Sequence, residues 1–377
     1  MSFSSATIPQ ERLLPGIHGL RGLAALAIVL YHVVHVGGVA VPAEFTFISS
    51  EFAKAVQLFF VLSAYSLMHS TTGAMQRQGW VSEYVVKRYF RIAPLYYAVL
   101  ILLIFRSVHL SGAVQYDPAS ILLNLTFLFG FAPWTGIVWA GWSVGVEMLF
   151  YAIFPVLLLT IRSSRATLVL VSISIVLSAA AFSQFSAHYA HTRTVYGYNW
   201  AHYSFVPNLC YFTMGVYAFR VAQDLDWRSV TARRSVLAFC TVLVGALVLS
   251  EVFVPLEGPW EGFLWGTAFA GLSLWQGAMP SRVVANYALQ FVGERSYSIY
   301  LLHPVVIHFA RKPIHAVYDS LTPHMGAYAY FVTVAFVLAV LFCASEISYR
   351  FIEVPGITLG RRLIHRMRAA TQEGGRF

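Results

Sequence analysis

Residues Gly16 to Val36 read GIHGLRGLAALAIVLYHVVHV, an apolar run long enough to cross a bilayer that still carries Arg21 near one end and His32 and His35 near the other. Hydrocarbon penalises such residues by a few kcal/mol each, so they need partners inside a protein. On a helix turning about 100° per residue, the eleven steps from Arg21 to His32 come to ~1100°, within ~20° of three whole turns, and the two share one face. His18 and His35 fall within ~60° of that stripe, while Leu20, Leu23, Leu26, Val29 and Leu30 fill the remainder. The pattern predicts a spanning helix whose polar face looks into a bundle.

Composition extends this reading to the whole chain. Its 377 residues are 58% hydrophobic and only 11% charged, with a mean hydropathy of +0.67. A soluble domain carries about one quarter charged residues, so the chain reads as an all-α integral membrane protein. The net charge of +9 fits basic loops facing the cytoplasm. No zinc or nucleic-acid motif accompanies it, and nucleic acid is not an expected partner. Cys210, Cys240 and Cys343 lie in apolar runs without a CxxC pair, which indicates neither a disulfide framework nor a metal site. The first apolar run follows Glu11 and Arg12 and leads into no small-residue cleavage site, so it is expected to remain as the first helix.

A bundle of about ten transmembrane helices is predicted, at 17–36, 52–71, 89–109, 141–161, 166–185, 205–222, 235–254, 260–278, 294–311 and 327–349. The run 119–131 is too short to span and reads as a re-entrant or interfacial helix. With the N-terminus inside, this topology puts 20 of the 25 Lys and Arg on the cytoplasmic side and leaves Lys54, Arg106, Arg193, Arg311 and Lys312 outside. So large a bias predicts cytoplasmic termini in a multi-pass protein of the inner (plasma) membrane. One domain, 1–355, and a basic cytoplasmic tail, 356–377, lying on the anionic leaflet complete the expected organisation. The outer loops 110–140 and 186–204 are aromatic and poor in charge, a surface suited to sugar rings or headgroups.

Four further segments concentrate polar residues. YVVKRYFRIAPLYY places Lys87, Arg88 and Arg91 at the inner mouth of the third span. Positive-inside topology explains them singly, but Arg88 and Arg91 stand one turn apart and can present a fork of donors to phosphates together with Arg21. WSVGVEMLFY repeats Ser143, Glu147 and Tyr151 every four residues, a second intramembrane stripe. Counted from the outer ends of their spans, Glu147 lies ~9 Å deep and His32 ~6 Å deep, so the two are expected to meet. In ERSYSIYLLHP, Ser296, Tyr300 and His303 share a face, and Pro304 withholds a donor from the carbonyl of Tyr300. LFFVLSAYSL offers Ser63, whose plainer reading is a hydroxyl bonded back to its own helix, and Glu346 with Arg350 reads as an i, i+4 pair.

GLRGLAALAIVLYH, LFFVLSAYSL, KRYFRIAPLYY, WSVGVEMLFYAIFP, GERSYSIYLLHP and ISYRFIEVP, in this order and spacing, resemble the membrane acyltransferase 3 family over nearly the whole chain. The resemblance implies a ten-helix bundle that moves an acyl group, usually acetyl, from cytoplasmic acyl-CoA to a hydroxyl of a sugar or surface polysaccharide beyond the membrane. It implies that Arg21 and His32 are the essential pair, that Arg88 and Arg91 form the basic motif of the third helix, and that Glu147 belongs to the WS..E signature. His18 stands where the family often has an acid, which leaves open what orients Arg21, and Ala64 stands where it often has Gly. No secreted hydrolase-type domain follows in the sequence, so a stand-alone enzyme is expected.

Acyl transfer from a thioester to an alcohol needs a base near the attacking hydroxyl and positive potential on the developing oxyanion. His32 is the predicted base, Glu147 its predicted orienter, and Arg21, Arg88 and Arg91 the holders of the acyl-CoA phosphates. Ser63, Tyr151, Tyr300 and His303 are the candidates for binding substrate. No permanently bound cofactor is expected. A transporter or flippase for a glycan-type substrate is the competing class, since polar residues inside a bundle also mark substrate pathways. That reading predicts internal pseudo-symmetry and paired broken helices, and the sequence shows neither.

Overall fold

The computed structural model describes residues 14–188, 200–253 and 259–374. Most of the expected outer loop 186–204, with Arg193, lies outside the described residues, as do Arg12 and Arg376. Apart from helical turns of five residues or fewer, the described chain forms α1 (Pro15–His35), α2 (Ala55–Thr72), α3 (Trp80–Ser111), α4 (Pro118–Thr126), α5 (Trp142–Thr160), α6 (Ser164–His188) and α7 (Phe205–Asp224). It continues with α8 (Val230–Phe253), α9 (Pro259–Ala278), α10 (Tyr287–Glu294), α11 (Ser296–Phe309), α12 (Arg311–Met325), α13 (Ala329–Ser348) and α14 (Val354–Gly374). No strand occurs among the described residues.

Seven helical stretches among the described residues are long and apolar enough to cross a membrane. The expected spans at 205–222, 260–278 and 294–311 are helical but fall short of that criterion. For the last the reason is length: α11 has 14 residues, hence ~21 Å, against ~30 Å of hydrocarbon, and it stands in series with α10 and α12. The short run expected at 119–131 is the nine-residue α4, where Asp117 accepts from the Ser120 N–H at 2.8 Å as an N-cap and Phe127 takes positive φ at the C-terminal end.

α1 is the hub of the bundle, in contact with α2, α9, α10, α11 and α13. Ile17, Leu20, Ala24 and Ile28 bury one flank in the main core, and Ala25, Val29 and Val33 bury the other in a second cluster with α11 and α13. α2 packs closely on α7, where a Cβ added at Gly215 would meet the Ala64 methyl at 3.0 Å. The bare glycine on α7 is what admits the methyl that Ala64 carries in place of the family's frequent Gly.

The segment expected as a basic tail is the helix α14, which a π-helical turn at Tyr349–Glu353 joins to α13. It lies along α3, with Gly356 and Gly360 one turn apart against Pro94 and Phe90 and with Ile364 buried. Arg368 donates two bonds of 2.6 Å to the Glu83 carboxylate of α3. Charge-assisted pairs are worth roughly 1.5–3 kcal/mol when sheltered, and the 40% exposure of Arg368 discounts this one to about 1 kcal/mol. Arg368→Ala is therefore expected to lower the melting temperature in detergent modestly and to open the end of α14 to protease. An unchanged melt with unchanged proteolysis would show the helix to be held by its apolar contacts alone.

Candidate active site

A cavity of about 620 Å³ opens between α1, α2, α3, α5 and α7. α3 supplies Lys87, Arg88 and Arg91, α1 supplies His18 and Arg21, and Arg77 stands in the turn that precedes α3. Five cations thus face one space in which Glu147 is the one carboxylate among the described lining residues. Phe219 and Gln223 of α7 and Tyr297 of α11 close its far wall.

Each cation is held differently. Arg88 donates to Ser70 Oγ at 2.9 Å and lies over the rings of Tyr84 and Tyr151 at 6.0 and 5.8 Å, while its buried Nε has no partner. Arg91 lines the cavity with no hydrogen bond to any described residue. Arg21 donates from Nε to Ser296 Oγ at 3.3 Å and stacks 5.9 Å from the Phe59 ring. Ser296, at the start of α11, is therefore what orients Arg21, and His18, whose buried Nδ1 lacks a partner, does not pair with it.

Glu147 sits at the inner end of the cavity and accepts from both Ser63 Oγ and Tyr151 Oη, whose oxygens are themselves 2.8 Å apart. Two expectations are corrected here. Ser63 does not bond back to its own helix; Ser66 does, to the Leu62 carbonyl at 2.7 Å. Glu147 does not reach His32, because its carboxylate is turned to Ser63 of α2 and to Tyr151 of its own helix. The i, i+4 pair of Glu346 and Arg350 is present, and Arg295 joins it from α10's end.

Arg21, Glu147 and Tyr297 also border a second space of about 30 Å³, room for a water or two, with Phe59, Phe60, Ser143 and Tyr300. Here Tyr300 accepts from Ser143 Oγ at 2.7 Å. Its ring centroid is 5.6 Å from that of His303, and the His303 centroid is 4.6 Å from that of His32. His32 Nδ1 lies 2.9 Å from the Ile28 carbonyl and 3.2 Å from His303 Nε2, and His303 Nδ1 lies 2.5 Å from the Tyr300 carbonyl. His35 instead spends Nε2 on the Ser49 carbonyl at 2.9 Å.

The sequence-predicted residues thus fall into two groups. Arg21, Arg88, Arg91, Ser63, Glu147 and Tyr151 meet at the large cavity, and His32 and His303 cluster with Tyr300, which lines the small space. Among the described residues, no three His, Cys, Asp or Glu side chains gather as a metal site. Sequence reasoning passed over Ser66, His69 and Ser70 of α2, which also line the cavity. Their spacing from Ser63, three and then three or four residues, was the available signal.

A helical bundle with several apolar helices long enough to cross a membrane, a cationic cavity inside it and a pair of histidines between α1 and α11 defines a polytopic membrane protein with a polar interior. The acyltransferase domain of the acyltransferase 3 family matches residues 14–345, and the chain belongs to that family. It is 22% identical over 376 residues to the peptidoglycan O-acetyltransferase of Listeria monocytogenes, covering 92% of this chain and 56% of that protein. A Staphylococcus aureus protein provisionally named an O-acetyltransferase is 24% identical over 387 residues, covering 91% of this chain and 57% of its own length. The chain spans a little over half the length of these curated relatives. No solved structure matches it.

Proposed function

We propose that this chain takes an acyl group, acetyl in the first instance, from cytoplasmic acyl-CoA and passes it to a hydroxyl of a saccharide or surface polysaccharide on the far side of the plasma membrane. The observation that carries the reading is the 620 Å³ cavity, in which five cations face one carboxylate at the start of the Arg21 to His32 stripe. The relatives add peptidoglycan as one acceptor of the right class. In this reading the chain crosses the bilayer about ten times, both termini are cytoplasmic, and the cavity faces the cytoplasm.

The residues then divide the work. Lys87, Arg88 and Arg91 hold the phosphates of the donor, and Arg21 holds it farther in. The pantetheine arm follows the polar face of α1 outward for ~16 Å, the length of eleven helical residues, and brings the thioester toward His32. His32 takes the proton of the acceptor hydroxyl as its oxygen attacks the thioester carbonyl. The C–O bond forms, the C–S bond breaks, and the proton passes to the departing thiolate, giving ester and free CoA thiol. The space of about 30 Å³ beside Phe59 and Tyr300 is too small for the arm, so these rings swing aside when donor binds.

Purified protein in detergent is expected to release CoA thiol from acetyl-CoA when a saccharide acceptor is supplied, which a thiol reagent reads directly. A transporter releases none. Absence of release across acetyl and longer acyl donors with peptidoglycan fragments and simple glycosides would overturn the reading.

A further inference from the structure

We infer that His303 is the positioning residue of the proposed transfer: it accepts the Nδ1 proton of His32 and so aims the other ring nitrogen, Nε2, at the acceptor hydroxyl. The inference rests on the functional reading above and gives His303 a different task from the substrate contact its sequence position suggested. His303 is fully buried, whereas His32 keeps part of its surface open, so of the two rings His32 is the one an acceptor can reach.

The argument begins at Pro304. A proline has no N–H, so the carbonyl four residues back, that of Tyr300, loses its helical donor. His303 Nδ1 stands 2.5 Å from that carbonyl. A carbonyl can only accept, so His303 Nδ1 carries a proton. The same logic applies to His32, whose Nδ1 lies 2.9 Å from the Ile28 carbonyl and must also be protonated. That N–H points as well at His303 Nε2, 3.2 Å away. Two donors cannot face each other across that gap, so His303 Nε2 is a lone pair and His303 is neutral. The hydrogen-bond network thereby assigns both tautomers, and one nitrogen remains for chemistry, His32 Nε2.

The pair does what a carboxylate does for the histidine of a hydrolase triad. When His32 gains the acceptor's proton, its Nδ1–H becomes more acidic and its bond to His303 Nε2 becomes charge-assisted, which stabilises the imidazolium. Glu147 cannot do this, since its bonds go to Ser63 and Tyr151.

Two variants of similar volume separate this role from packing. In His303→Gln the amide can accept from His32 and donate to the Tyr300 carbonyl, reproducing both bonds; in His303→Met it can make neither. His303→Met is expected to lower kcat roughly ten- to hundredfold, less than the loss of the base itself, with KM for acetyl-CoA unchanged. His303→Gln should recover most of that loss. Full-length protein labelled with 15N-histidine, its His32 signals identified by their loss in His32→Asn, should show His32 protonated on Nδ1 alone, with that proton moving upfield in His303→Met. Wild-type kcat in the Met variant, equal impairment of Gln and Met, or a His32 proton on Nε2 would each overturn the proposal. If wild-type protein released no CoA thiol, the acyltransfer reading would fall, and the 15N signals would still decide the hydrogen-bond assignment.

Discussion

His32→Ala is expected to abolish acyl transfer while the protein still folds and still binds CoA. Loss of a general base costs on the order of a hundredfold to ten-thousandfold in rate. His32 is only partly buried and none of its neighbours relies on it for a charge partner, so folding should tolerate the change. His32 stands ~16 Å beyond Arg21 along α1 and does not line the cavity proposed to hold the donor, which is why CoA affinity should stay within a factor of two. Residues that act as one unit fail together, so the losses in His32→Ala and His303→Met should be far from additive in the double variant. Glu147→Gln, which disturbs the Ser63 and Tyr151 bonds at the cavity's end, should combine with His32→Ala independently in its effect on donor affinity. His35→Ala should do much less, since that ring is committed to the Ser49 carbonyl. Steady-state thiol release and calorimetric CoA binding on the same preparations check all four. Retention of most activity in His32→Ala would assign the base elsewhere.

The sequence made the polar stripe of α1 legible because 3.6-residue periodicity is a local property: which residues share a face follows from numbering alone. What that stripe touches is not local. The depths of Glu147 and His32 follow from a rise of 1.5 Å per residue, but depth is one coordinate of two. The azimuth of α5 is set by packing, and packing turns Glu147 toward Ser63 of α2. The same limit explains Ser63: its hydroxyl has a free helical carbonyl within reach, and only the arrival of a carboxylate from another helix decides against it. Pro304 was legible as a proline that frees the Tyr300 carbonyl, and the group that fills the vacancy, His303 of the adjacent position, follows from rotamer and helix geometry that spacing does not specify. α14 escaped because a segment with Arg361, Arg362, Arg366 and Arg368 reads as a surface tail until Glu83 and the glycines on its inner face are seen against α3.

Arg91→Ala is expected to weaken acyl-CoA binding by roughly 1.5–3 kcal/mol, about ten- to a hundred-and-fiftyfold, with kcat at saturating donor little changed. Arg91 has no hydrogen-bond partner among the described residues, so all of its donors are available to phosphate oxygens and the truncation removes nothing else. Arg88→Ala should cost a comparable amount of affinity and also some stability, since that side chain holds Ser70 and covers the Tyr84 and Tyr151 rings. Lys is a partial substitute at either position, because a single ammonium cannot match two phosphate oxygens at once. The comparison that separates a donor site from a mere topology signal is Arg361→Ala, an exposed cation of α14 outside the cavity. It carries the same positive-inside charge and should leave CoA affinity where it was. Ionic strength supplies a second check: if Arg91 pairs with a multivalent anion, raising salt should erode the wild type's affinity more steeply than the variant's. Equal CoA affinity in wild type, Arg91→Ala and the Arg88→Ala, Arg91→Ala double variant, all folded, would return both arginines to topology and leave the cavity without its donor.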